Sequence, residues 1–346
     1  MAHPALKMPR AVSEPASPLS ALARPLAIVA HDAGGAELLS SLLRRAGLGP
    51  GTVGGRGLRF ALDGPARAVF ERKLGPIPNL PLTQALDGAA SLLCGTGWQA
   101  MLEFDALRGA RERGMMSIAF LDHWTNYRER FVRGGLRCLP DALWVGDEHA
   151  LVMARQRLPE LPVALLPNPY LADLLERVVQ LTTAAESRTP SRHSAGLRFL
   201  YVSEPLREAA LRQHGSERHW GYTEEEALQY ALERLPQLGV HIAQLVLRPH
   251  PSEAPDKYDA LLARSSLPVS RGGARELLAE VAECDVVVGC NSMAMVIGLL
   301  AGKRVLCAIP PGGSACALPH RTIQMLRETV TLGERRSGVA LQGTRT

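Results

Sequence analysis

The chain has 346 residues, 46% of them hydrophobic, 21% charged and 5% aromatic, with a formal net charge of +5. This length suits two domains of about 150 residues better than one core, and the charge is spread without the like-charged block of a nucleic-acid arm, so no nucleic-acid partner is expected. No apolar run approaches the ~18 residues of a membrane span, and Cys94, Cys138, Cys284, Cys290, Cys307 and Cys316 contain no CxxC pair, so the expectation is free, buried thiols in a reducing compartment without disulfides or zinc.

Residues 1–23 are rich in Pro, Ala and Ser. They are expected to be a disordered lead-in, since their charges and prolines do not compose a signal peptide, and the chain is expected to be cytoplasmic. A first lobe is expected over 24–179. It opens with an unbroken apolar run at 26–30, then His31-Asp32-Ala33-Gly34-Gly35, then helical periodicity over 36–46. Strand, glycine-bearing turn and helix make the start of a βαβ unit. Further strands are expected at 59–62, 91–94, 117–121, 142–145 and 163–166, with helices at 66–73, 100–113, 148–157 and 170–179. Residues 180–196 lack periodicity and are expected to be an interlobe linker.

A second lobe, 197–346, repeats the rhythm. Strands are expected at 198–202, 243–247, 268–270, 285–289 and 304–308, with helices at 223–235, 276–283 and 294–301. Thr223-Glu224-Glu225-Glu226 places acids where a helix dipole favours them. Strands alternating with helices argue for parallel sheets with crossover helices. The fold class expected is α/β, with two Rossmann-like lobes facing a cleft. Ligands in such folds sit at the C-terminal ends of strands, so the turns that leave the strands are the candidate sites.

The most informative exit is Arg248-Pro249-His250-Pro251. Its prolines fix the backbone on both sides of His250, so the imidazole is aimed, and Arg248 can add a bidentate contact to a phosphate. The second is Gly289-Cys290-Asn291-Ser292-Met293, where Ser292 and the first amides of the following helix suit an anion. Plain helix capping by Asn291 or Ser292 accounts for the same residues. In the first lobe Asp32 stands at a strand end, either as a base toward a hydroxyl or as a helix cap. Gly34 and Gly35 are expected to contact substrate or donor, and they do not form a dinucleotide fingerprint. Thr96 is expected to bind a hydroxyl or phosphate, Trp98 or Trp124 to stack on a sugar, and Asp122 with His123 to be a second acid/base candidate. The stretch 126–133 carries three arginines, a solvated face or a seat for an anionic acceptor. Glu204 and Gly313 are candidate contacts to donor sugar or phosphate. No Asp-x-Asp pair occurs near a strand end, so metal-independent chemistry is expected.

A His-Pro dipeptide at a strand end, then a Ser-bearing turn before a helix ending in Leu300-Ala301-Gly302-Lys303, resembles the C-terminal lobe of GT-B glycosyltransferases. The likeness points to bacterial sialyltransferase-like and capsule-polysaccharide (Kdo- or CDP-glycerol-type) transferases. It covers about 245–310 closely and the first lobe in outline. The resemblance implies polysaccharide biosynthesis, with His250 and Ser292 on the phosphate of a nucleotide-activated donor, and with Asp32 as the counterpart of the family's acidic-Gly base. The donor is then a substrate, and no cofactor or metal is expected. This chain departs from the pattern in having Met293 after Ser292 and Ala33 between Asp32 and Gly34. The architecture of non-hydrolysing UDP-sugar 2-epimerases is also similar. Three functions follow: transfer to a glycan or small-molecule acceptor, epimerisation or hydrolysis of a nucleotide-sugar, and non-catalytic binding of one. Peripheral membrane contact is compatible with each.

Overall fold

The computed structural model describes residues 18–50, 57–97, 100–188 and 196–329. The chain divides into two compact units, Met1–Tyr170 and Leu171–Thr346. In the first unit the elements run β1 (Leu26–Ala30), α1 (Ala33–Arg45), β2 (Leu58–Leu62), α2 (Pro65–Leu74), α3 (Leu82–Leu86), β3 (Ser91–Cys94), α4 (Leu102–Glu112), β4 (Met116–Leu121), a short hairpin β5 (Val132–Arg133) and β6 (Leu136–Arg137), β7 (Ala142–Val145), α5 (Glu148–Arg157) and β8 (Val163–Leu165). Six strands form a parallel sheet in the order β2-β1-β3-β4-β7-β8. Strand β1 is buried along its whole length, as a strand covered by helices on both faces must be. Ile28 lies level with Phe60 on one side and Leu93 on the other, and all three join the core formed with Leu38, Leu39, Phe70 and Phe120.

The second unit begins within α6 (Pro169–Arg188) and continues through β9 (Leu197–Val202), α7 (Leu206–His214), α8 (Glu224–Arg234), β10 (Ile242–Arg248), α9 (Asp259–Leu262), β11 (Val269–Arg271), α10 (Leu277–Glu283), β12 (Val286–Gly289), α11 (Met293–Leu300), β13 (Arg304–Cys307) and β14 (Gln324–Met325). Its six-stranded parallel sheet has the order β11-β10-β9-β12-β13-β14. Counted along the chain this is 3-2-1-4-5-6, the doubly wound order of dinucleotide-binding folds. Its core joins Phe199, Tyr201, Leu245, Leu247, Val286, Val288 and Leu306 to Leu228, Ala231 and Leu235. Helix α8 starts on a full capping box, with Thr223 and Glu226 each satisfying the other's backbone amide.

Two boundaries differ from expectation. The packed chain begins before residue 24: Pro18–Ala21 form a 3-10 turn, and Leu19 and Leu22 lie in the first core. The expected linker at 180–196 is helical as far as Arg188. Leu171, Leu174, Leu175, Val178 and Leu181 keep the spacing of one helical face, and Val178 is buried. The Thr183 hydroxyl donates back to the Val179 carbonyl one turn earlier. Among the described residues no helix is long and apolar enough to cross a membrane. All six cysteines are free thiols, and all but Cys316 are buried.

Candidate active site

In each sheet there is one place where successive connections depart in opposite directions, and the strand ends there leave a crevice. In the first unit this switch point lies between β1 and β3. In the second it lies between β9 and β12. The exits at these points carry His31-Asp32 and Gly95-Thr96-Gly97, and Ser203-Glu204 and Asn291-Ser292.

At the first switch point Asp32 occupies the N-cap position of α1 but makes no side-chain cap bond. Its carboxylate accepts a hydrogen bond from His31 Nδ1 at 2.8 Å, and both side chains are about one-third exposed. The capping reading of Asp32 is therefore replaced by a half-open His-Asp pair. Behind it stands Glu103 from the first turn of α4, only 2% exposed, whose Oε1 accepts the His31 amide at 2.7 Å. Sequence reasoning missed Glu103, because nothing local sets it apart from an ordinary acid in a first helical turn.

The other exits of this unit brace the structure. Thr96, Asp122 and Arg130 form one buried knot. Arg130 Nη1 donates to Asp122 Oδ1 (2.9 Å), to Thr96 Oγ1 (2.9 Å) and to the Thr96 carbonyl (2.8 Å). The Thr96 hydroxyl in turn donates to Asp122 Oδ1 at 3.2 Å. Thr96 thus braces this strand exit, and Asp122 is paired with Arg130 through one carboxylate oxygen. Arg130 is 6% exposed, so the arginine run is not simply a solvated face. The other expected member of that acid/base pair, His123, lies against Trp124 with Nδ1 at 3.1 Å from the Thr125 hydroxyl. Burial lowers its basicity, against the pull of Asp122. Trp124 is buried and donates its indole N–H to Asp147 at 2.8 Å, so it is no stacking platform. Trp98 lies outside the described residues.

Gly34 and Gly35 stand where a side chain would be crowded. A Cβ on Gly34 would fall 2.2 Å from Asp122 Oδ2, and one on Gly35 would fall 3.3 Å from the Gly95 Cα. Glycine is required where helix and strand exit touch through backbone.

At the second switch point Ser292 caps α11 by accepting the Ala294 amide at 3.2 Å, and Met293 is the first helical residue. Asn291 holds two loops: its Oδ1 accepts the Ala317 amide at 2.7 Å and its Nδ2 reaches the Tyr222 hydroxyl at 3.5 Å. Its own amide donates to both oxygens of Glu204, at 3.1 and 3.3 Å. Burial pushes the Glu204 carboxyl up to about 8, so at neutral pH it is largely an uncharged acid with a proton to donate. Gly313 packs on Tyr222 and Ile309, where a Cβ would stand 2.8 and 2.7 Å from their carbons, so its role is again close packing.

Beside this point, on the exit of β10, His250 is exposed and its Nδ1 accepts the Ser252 amide at 3.2 Å, with the Ser252 hydroxyl at 2.8 Å. An amide can only donate, so the neutral ring carries its proton on Nε2. The backbone amide of His250 is pinned at 2.7 Å by Glu253, which also accepts Tyr258 (2.6 Å) and Lys257 (2.9 Å). Burial opposes the charge of Glu253, but these three donors hold its carboxyl below the usual range. The expected phosphate contact from Arg248 is not built. Its guanidinium pairs with the buried Glu280 at 2.7 Å and with the Arg275 carbonyl at 2.9 Å. Strand alternation turns Arg248 onto the sheet face covered by α10, where an unpaired cation would be costly.

No family model matches the chain, and no curated protein sequence matches it. Solved structures do. The UDP-GlcNAc 2-epimerase of Methanocaldococcus jannaschii superposes with a TM-score of 0.54 at 11% identity, over 90% of this chain and 91% of that one. The UDP-GlcNAc 2-epimerase of Neisseria meningitidis, bound to UDP-GlcNAc, gives 0.52 at 11% identity over 92% and 91%. The glycotransferase of kitacinnamycin gives 0.50 at 14% identity over 91% and 93%. At these identities the likeness is one of fold. The chain has two Rossmann-like α/β units, as its strand pattern predicts, and a GT-B-like fold, as the resemblance implies.

Proposed function

We propose that this chain is a glycosyltransferase that moves a sugar from a nucleotide-activated donor to a glycan or small-molecule acceptor without a metal ion. The observation that carries this reading is His250: an exposed imidazole with Nδ1 held by a backbone amide, so that Nε2–H is a fixed donor beside a doubly wound switch point. In this reading the second unit binds the donor. As the bond from sugar to phosphate breaks, the phosphate oxygen takes the electron pair, and His250, Ser292 and the first amides of α11 stabilise its charge. Asp32, uncommitted to capping and paired with His31, accepts the proton of the acceptor hydroxyl as that oxygen bonds to the sugar. A cytoplasmic site of polysaccharide synthesis fits such a donor.

The test starts from thermal shifts with CMP, CDP, UDP, GDP and their sugars. Replacing His250 with Ala is expected to weaken binding of the stabilising nucleotide by about 1.5–3 kcal/mol, roughly ten- to a hundredfold in Kd. Unchanged affinity refutes the assignment. A second reading, epimerisation, is favoured by the likeness to the two UDP-GlcNAc 2-epimerases. It predicts interconversion of UDP-GlcNAc with no acceptor present, whereas a transferase leaves that donor intact.

A further inference from the structure

Glu103 is a buried charge-bearing group that the reaction above leaves unused. Its Oε1 accepts the His31 amide, but its Oε2 is buried with no hydrogen-bond partner among the described residues. An ionised carboxylate with a dry, unpartnered oxygen is far costlier than a neutral acid there. The second observation is the position of Asp32. A Cβ on Gly97 would stand 2.8 Å from Glu103 Oε1 and 2.8 Å from Asp32 Oδ2, so both carboxyls close on the bare side of one glycine. Two carboxyls sharing a site do not both ionise readily.

The surroundings decide which one keeps the proton. Asp32 is about one-third exposed and has His31 on its other oxygen. Glu103 is almost fully enclosed, with the Cys94 thiol at the end of β3, His31 and Asp32 at the exit of β1, and Arg133 of β5 around it. Arg133 donates to the Gly97 carbonyl at 3.0 Å, which fixes the glycine and sets a cation near both acids. Burial pushes the Glu103 carboxyl up, the His31 amide pulls against it, and the charge of Asp32 adds to the rise.

We propose that Glu103 and Asp32 form an electrostatically coupled pair at the switch point of the first unit, in which neutral Glu103 holds the proton and Asp32 carries the charge. Glu103 is then a positioning residue that acts through Asp32. It pins the His31 amide, and hence the turn that presents Asp32, and by staying neutral it leaves Asp32 the single anion that meets a hydroxyl. This role rests on the reading of Asp32 as base, but the pair itself is measurable without any substrate.

The experiment is a 13C NMR titration of carboxyl-labelled Glu and Asp in the full chain, wild type and Asp32→Asn, with the Glu103 signal assigned by through-bond correlation. Glu103 is expected to titrate above the usual glutamate value of about 4.3. Its midpoint is expected to fall in Asp32→Asn, where the neighbouring charge is gone. A midpoint in the ordinary range, or one that Asp32→Asn leaves in place, overturns the pair. A purely structural Glu103 would show no such dependence. Turnover of UDP- and CMP-sugars by Asp32→Asn tests the other reading separately. A coupled titration with undiminished turnover keeps the pair and refutes Asp32 as base, and lost turnover without coupling does the reverse.

Discussion

The carboxyl of Glu204 accepts the Asn291 amide and titrates near 8 in the folded chain, against about 4.3 when unfolded. Between these values the native state holds a proton that the unfolded state has lost, so stability falls as pH rises through that window. The Cys316 thiol works the other way higher up: the Cys307 thiol beside it lowers it to about 7, so its contribution grows only above that pH. His123, lowered by burial, and Glu103, raised by it, also shift on folding, so the contribution of Glu204 is read from the difference between two proteins. Glu204→Gln keeps an acceptor for Asn291 and has no proton to lose. It is expected to flatten the fall in Tm across pH 5 to 7, measured by calorimetry in both proteins. An equal slope in the two refutes the role of Glu204. At this scale the sequence shows what lies next to a strand end and hides what folds onto it. Asp32 and His250 are legible because each lies in the short exit that follows an apolar run. Glu103 is not, since its meaning comes from His31, 72 residues away. Nor is the binding of Arg130 to Thr96 across 34 residues.

Helix α11 is apolar nearly all round, the pattern of a buried helix, and its polar start is therefore decisive. Ser292→Ala removes the acceptor for Ala294 and is expected to cost about 1 kcal/mol by urea denaturation, whereas Ser292→Asp should retain most of it. A loss in both variants alike would point to packing in place of capping. Elements of this kind were legible, because a run such as Val286–Gly289 between turn residues has one reading. Short or polar elements were not. Helix α7 is charged along much of its length and buries only Ala210, so its periodicity carries no signal. The β5–β6 hairpin turns on Gly134 and Gly135, both at positive φ, but its strands are two residues each, too short for alternation to register. The far half of α6 read as a linker because Thr182 and Thr183 weaken the helical pattern there.

Each unit closes its own core around its own sheet, as an independently folding domain does. A fragment starting at Asn168, which keeps that residue's bond to the Tyr170 amide at the start of α6, is expected to unfold cooperatively in urea and to give a dispersed NMR spectrum. A fragment that stays collapsed and non-cooperative would show that the second core is incomplete. The alternation of strands and helices was readable along the chain, but the order of the strands was not, and it is the order that creates the switch points. Gly35 and Gly95 sit on either side of the first of these. A Cβ on either would come within 3.3 to 3.4 Å of the other's Cα, and backbone has no rotamer with which to step aside. Such a contact has an evolutionary consequence. A side chain at either position is admitted only if the other's main chain yields by a few tenths of an ångström, so the two positions constrain each other's changes.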